Sequence, residues 1–234
     1  MTSDLHARID HLVVAAPTLE DGVAWCEASL GVTPGPGGAH ALFGTHNRLL
    51  RLSSNDHRQA YLEIIAIDPQ ATPARAAPLR RWFDLDDPTL RNQLDRQGSQ
   101  LIHWVASVPD IDAACAAWRR LGIDRGPVIK ASRPTPEGLL RWRIAVRDDG
   151  QRLLHGTLPT LIQWGPVHPA DQMPAPALGL VSLHLQHPQA PLLRAALNAI
   201  GLDHVTVETG QPALQVQLTS APGTPLTLSH QEPA

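Results

Sequence analysis

The stretch IDHLVVAAPTLEDGVAWCEASLGV, residues 9–32, decides how the rest of the chain is read, because its plan returns twice. It opens with an apolar strand-like run, turns at Pro17, continues with helical periodicity and stops at Leu30-Gly31. LIHWVASVPDIDAACAAWRRLGI, residues 101–123, does the same and stops at Leu121-Gly122. LVSLHLQHPQAPLLRAALNAIGL, residues 180–202, stops at Ile200-Gly201. Each opening strand carries a histidine (His11, His103, His184), followed by the stop glycine at a near-equal distance. Self-similarity of this kind means one supersecondary unit used three times.

The helical parts are locally consistent. Asp110 offers an N-cap carboxylate, and Ile111, Ala114, Cys115 and Trp118 share one face, as do Val23, Cys26 and Leu30. The glycines supply a left-handed C-terminal residue. After each helix come short extended runs: 40–43, 48–52 and 61–67; then 127–131, 139–146 and 158–164; then 204–208, 213–218 and 225–228. Turn residues separate them, among them Gly35-Pro36-Gly37-Gly38, Asp148-Asp149-Gly150 and Ala221-Pro222-Gly223. Each unit reads as strand–helix–three strands, a βαβββ module, and the fold class is α+β. Modules at about 8–70 and 99–165 pair into one domain over 1–170, and 171–234 supplies a linker and a third half-module. The insert 71–98 reads as a surface linker with short helical pieces.

Composition narrows the class. The 234 residues are 43% apolar and 18% charged, with a net charge of -3, which excludes a disordered chain and the basic face of a nucleic-acid binder. No run approaches the ~20 apolar residues of a membrane span. The start, MTSDLHARIDHLVV, shows no apolar signal segment. Cys26 and Cys115 are too few for a disulfide framework and read as buried thiols of a cytoplasmic protein.

Strand alternation decides which side chains meet. With His11 on the concave side, Val13 joins it while Leu12 and Val14 face the helix. His103 groups with Leu101 and Val105. Glu63 is the one charge in the strand YLEIIAI, and Gln163 stands as its counterpart in LIQW. Four side chains, His11, Glu63, His103 and Gln163, then converge between two paired modules. The plainer readings are a backbone-bonded core histidine, a Glu63–arginine ion pair and a strand-capping Gln163. Alternation lines the pocket with Val13, Tyr61, Ile65, Leu101, Val105 and Leu161, walls suited to a small, partly apolar molecule. Arg141 and Arg143 share one strand face and bind a substrate anion if that face is concave; otherwise they are solvated. His46 and Asn47 read as turn residues, His155 and His168 as surface residues. His184 lacks an acidic partner, so its unit is structural, completing the sheet or forming a homodimer surface.

IDHLVVAAP, FGTHNRLLRL with YLEIIAIDP, LIHWVASVPD and LPTLIQWG together resemble the vicinal oxygen chelate superfamily, in particular its glyoxalase-like branch, over residues 8–165. The resemblance implies paired βαβββ modules around a divalent metal (Fe, Mn, Co, Ni or Zn) held by His11, Glu63, His103 and Gln163. It further implies a lyase, isomerase or dioxygenase acting on a small oxygen-chelating substrate. Glyoxalase I proteins carry glutamate on the last strand of both modules; the amide of Gln163 is not basic, which leaves Glu63 as the one catalytic base. A non-catalytic small-molecule binder similar to the bleomycin-resistance proteins is the alternative.

Overall fold

The computed structural model describes residues 5–75, 77–136, 138–220 and 223–231. The opening residues 1–4 and the turn residues Ala221 and Pro222 lie outside them. The first repeat supplies β1 (Arg8–Ala15), α1 (Leu19–Leu30), β2 (Ala39–His40), β3 (Thr45–Arg51) and β4 (Tyr61–Ile67). After α2 (Pro88–Gln97) the second supplies β5 (Gln100–Ser107), α3 (Ile111–Arg120), β6 (Val128–Thr135), β7 (Gly138–Ala145) and β8 (Thr160–Trp164). The third supplies β9 (Leu178–Gln186), α4 (Ala190–Asn198), β10 (Thr206–Glu208), β11 (Ala213–Ser220) and β12 (Pro225–Gln231). The helix ends follow local chemistry: Thr18 and Asp110 accept from the first-turn N–H groups of α1 and α3, and Gly31 closes α1 at φ 68°.

The first two units form one eight-stranded sheet, ordered β2-β3-β4-β1-β5-β8-β7-β6, joined where β1 and β5 pair antiparallel. The sheet curves into a cup. On its outer face lies a core of Leu12, Val14, Leu62, Ile64, Trp104 and Trp118, with the inward stripes of α1 and α3. The third unit packs on the same side, its inner residues Leu180, Leu183, Leu185 and Val216 belonging to that core. It does not complete the large sheet, as the sequence allowed; it forms its own, ordered β10-β9-β11-β12.

A second core fills the cup itself, around Val13, Ile65, Val105, Trp142 and Ile162. The insert between the modules is part of it. Trp82, Phe83, Leu85, Leu90 and Leu94 are buried there, so this segment plugs the cup rather than wrapping the surface as expected from its prolines. Phe83 and Asp84 take left-handed backbone angles, φ 59° and 60°, an unfavourable conformation for side-chain-bearing residues and sustained here by ring burial. Cys26 and Cys115 are buried free thiols. Among the described residues no helix is long and apolar enough to cross a membrane.

Candidate active site

Strand β1 carries a bulge. Its register with β5 pairs Ile9 with Ala106 and His11 with Val105, leaving Asp10 as an extra residue. A bulge turns two successive side chains toward one side, so Asp10 and His11 meet where strict alternation would part them. His11 Nδ1–H donates to Asp10 Oδ1 at 2.6 Å. Trp164 Nε1–H and His168 Nε2–H donate to Asp10 Oδ2 at 2.8 and 3.1 Å. The His168 tautomer follows from its other nitrogen, which accepts from the Ala170 N–H. Burial opposes ionisation of Asp10, yet the hydrogen bonds from His11 and His168 outweigh it and hold the carboxyl well below the usual range.

On the far side of the ring, His11 Nε2 stands 3.5 Å from Glu63 Oε2. Burial resists charge on His11, but the Asp10 and Glu63 carboxylates outweigh it and raise its pKa to about 9. Burial likewise resists charge on Glu63, and its contacts with His11 and Asn47 prevail, lowering it to about 2. At neutral pH this is therefore an imidazolium between two carboxylates. Asn47 Nδ2–H donates to Glu63 Oε1 at 2.6 Å and fixes that carboxylate. Asn47 is itself held through its Oδ1, which accepts from Gly38 N–H at 2.8 Å and Arg133 Nη1–H at 3.3 Å. The glycine turn makes room for this: a Cβ on Gly37 would strike the Asn47 oxygens, and one on Gly38 would strike the Arg133 guanidinium. His40 Nε2 lies 3.9 Å from Glu63 Oε1, and burial lowers the pKa of His40 to about 4, keeping it neutral.

The second module answers this arrangement with the same geometry and different chemistry. Its bulge falls at Ile102, since Val13 pairs with His103 and Val14 with Leu101. In β4 the residue beside Val13, two past His11, is Glu63; in β8 the residue beside Val105, two past His103, is Thr160. Thr160, not Gln163, is thus the counterpart of Glu63. His103 Nδ1–H donates to Gly156 O and Nε2 accepts from the Thr160 hydroxyl, both at 2.9 Å. The hydroxyl oxygen in turn accepts from Arg125. Burial, reinforced by the Arg125 charge, pushes the His103 pKa well below its ordinary value. Between the half-sites runs a stack of rings: His40 edge-on to Trp82 at 4.9 Å, Trp82 on Phe83 at 5.0 Å, Phe83 beside His103 at 5.3 Å.

The metal set expected from sequence is accordingly not assembled. Both His103 nitrogens are committed, a guanidinium sits behind them, and aromatic rings occupy the intervening space. Gln163 lies on the opposite face of β8, where its Oε1 accepts from the Ile111 N–H at the start of α3 and from Arg143, each at 3.2 Å. Among the described residues no three His, Cys, Asp or Glu side chains are arranged to hold a metal ion. These donors do not fit a divalent cation.

Other expectations shift for the same reasons of parity. Trp142 faces the cup, so Arg141 and Arg143 face outward; Arg141 is exposed and Arg143 pairs with Asp112 at 2.8 Å. Leu101 and Leu161 belong to the outer core, and Ile102 turns inward. Tyr61 does line the cavity, its ring stacked on His11 at 4.5 Å. Sequence reasoning missed Asp10, His40, Arg133 and the three tryptophans Trp82, Trp142 and Trp164, and it took Asn47 for a turn residue and His168 for a surface one. The signal available was an acid directly before the first-strand histidine, in Ile9-Asp10-His11.

A cup of paired βαβββ modules with its polar cluster on the first and last strands of a module defines the vicinal oxygen chelate superfamily. The glyoxalase-like domain profile matches residues 9–201, and the chain belongs to that family. The match continues past the paired modules into the third repeat. Among solved structures, a hypothetical protein from Staphylococcus aureus is similar over 93% of both chains, at 13% identity and a TM-score of 0.57. A methylmalonyl-CoA epimerase variant from Streptomyces coelicolor, in complex with 2-nitronate-propionyl-CoA, covers 69% of this chain and 96% of its own. Its identity is 20% and its TM-score 0.43. The epimerase from Mycobacterium tuberculosis covers 68% and 87%, at 17% identity and a TM-score of 0.37. No curated protein matches the chain in sequence.

Proposed function

We propose that the protein is an enzyme of the isomerase or lyase type that moves a proton on a small carbonyl compound, with Glu63 as base and His11 as acid. The observation that carries this is the pairing of His11 Nε2 and Glu63 Oε2 across 3.5 Å at one cavity, with Asp10 and Asn47 fixing each from behind. That separation exceeds a well-formed hydrogen bond, so the Nε2–H is only loosely held by Glu63 and can turn to a substrate oxygen. Glu63 takes a proton from the carbon next to the carbonyl, and the electron pair moves to the oxygen. The Nε2–H of His11 stabilises the developing enolate, as a preorganised donor in a water-poor site does. Return of the proton to the other face or carbon gives an isomer; loss of a leaving group gives an eliminated product. Inserting the substrate parts His11 from Glu63, which restores basicity to the carboxylate.

The test is proton–deuterium exchange at the α-carbon of enolisable ketones and oxo acids in heavy water, followed by NMR. Exchange is expected, and Glu63→Gln should slow it by at least about a hundredfold. Binding without exchange would instead support a sequestering protein. Exchange that disappears with chelator and returns with Fe, Mn, Co, Ni or Zn would replace this reading with a metal-dependent one.

A further inference from the structure

The space at His11 and Glu63 is about 30 Å³, room for a water or two or for a group as small as a carbonyl. A whole substrate does not fit there. A groove of about 360 Å³ adjoins it, within the range of small-molecule sites, and the two share Leu49, Leu140, Pro169 and Arg133 as walls. The groove is mostly apolar. Among the described residues its charged side chains are two guanidiniums, Arg51 and Arg133, and no carboxylate lines it. Arg133 stands at the junction, and among the described residues no acid pairs with it; its hydrogen bond is to Asn47. A half-buried cation with no counter-ion among the described residues, beside an apolar channel, selects an anion with a hydrocarbon arm.

We infer that the substrate is an amphiphilic oxo acid: its carbonyl enters the small cavity, its carboxylate sits on Arg133, and its apolar arm lies in the groove. This rests on the acid–base reading of His11 and Glu63, and it adds a chain-length and charge requirement to it. Arg133 couples the two, because the guanidinium that receives the carboxylate also holds Asn47 against Glu63. Arg133 is therefore a specificity residue and Met173, on the groove wall, a chain-length residue.

The experiment is titration of the full chain with straight-chain α-oxo acids from oxobutanoate to oxooctanoate and with their methyl esters. Quenching of the cavity tryptophans gives Kd, and α-deuteration is followed in parallel. Affinity should rise about fourfold per added methylene until the groove is filled. The acids should bind at least about tenfold better than their esters, as expected for a charge-assisted contact. Arg133→Met should abolish the acid-over-ester preference and Arg133→Lys restore part of it. Met173→Trp should weaken the long acids and spare the short ones. Equal affinity along the series, or equal binding of acid and ester, overturns the inference even if small neutral ketones are deuterated. Chain-length-dependent binding of the acids without deuteration upholds the substrate class and rejects the chemistry.

Discussion

Asp10 sets the charge of the residue next to it, and its removal has a predictable sign. His11 has a folded pKa raised to about 9 against an ordinary 6.5, so the stability it contributes is complete below 6.5 and is lost as pH rises through 9. Glu63 is lowered to about 2, so its contribution is complete above its ordinary value of 4.5 and is lost progressively as pH falls from there through 2. Both contributions are therefore complete between about pH 4.5 and 6.5, and the share from His11 should decline from there and be gone above about pH 9. Asp10→Asn removes the carboxylate that stabilises the imidazolium, and the alkaline limb of both stability and exchange rate should move to lower pH; an unmoved limb would show that Asp10 does not govern His11. His103 makes the opposite case. Truncation to alanine leaves the Thr160 hydroxyl proton and the Gly156 carbonyl without their His103 partner in the interior and should cost about 2–3 kcal/mol in denaturant melts. Proton exchange by the folded variant should persist, whereas a metal held by His103 would take activity with it. Of the site, His11, Glu63 and Tyr61 were legible from strand parity alone. Asp10 was not, because the bulge at β1 overrides parity and its one mark in the sequence is the acid directly before the histidine.

At the scale of elements, the repeat was legible because every copy keeps its apolar stripe and stop glycine, and the first two keep a side-chain N-cap. Strands β1 and β4 could be read because each is a largely apolar run, broken in β1 by Asp10 and His11 after the opening Arg8 and in β4 by Glu63. Strand β8 could not. Leu158 and Thr160 both open plausible strands, and aligning Gln163 with Glu63 instead of Thr160 is an odd offset, which exchanges the two faces of a strand. The same arithmetic turned Arg141 and Arg143 outward and Trp142 inward. The insert was misread because its prolines and turns suggest surface, while Trp82-Phe83 and α2 carry enough apolar area to enter the cup. The glycine turn before β3 has a function that its turn composition conceals. Gly37 has no room for a methyl group, since the approaching atoms are the carbonyl and amide oxygens of Asn47. Gly37→Ala should push Asn47 away from Glu63, cost about 1–3 kcal/mol by overpacking, and slow exchange in the folded fraction. Unchanged stability and rate would mean the turn relaxes freely.

The whole molecule joins the third repeat to the site through the outer core and the linker. Trp118 of α3 donates its Nε1–H to Ala196 O in α4 at 2.8 Å, Leu180 N–H donates to Leu52 O at 2.8 Å, and Ala7 N–H donates to Ile200 O at 3.0 Å. Leu180, Leu183, Leu193 and Leu197 are buried against the paired modules. The segment connecting the units brings His168 onto Asp10 and Pro169 into the cavity wall. An independent domain would keep its apolar face to itself; this one shares a core with its neighbours, so the chain should unfold as one cooperative unit. A chain cut after Pro176 would uncover a contiguous leucine surface and leave the linker that supports Asp10 unanchored. Such a fragment should aggregate or bind a hydrophobic dye, and should melt well below the full chain. It should also lose the alkaline shift of His11 as His168 ceases to brace Asp10. A fragment that melts as sharply and as high as the intact protein would mean that the third repeat is an appended module and that the paired modules hold the site unaided.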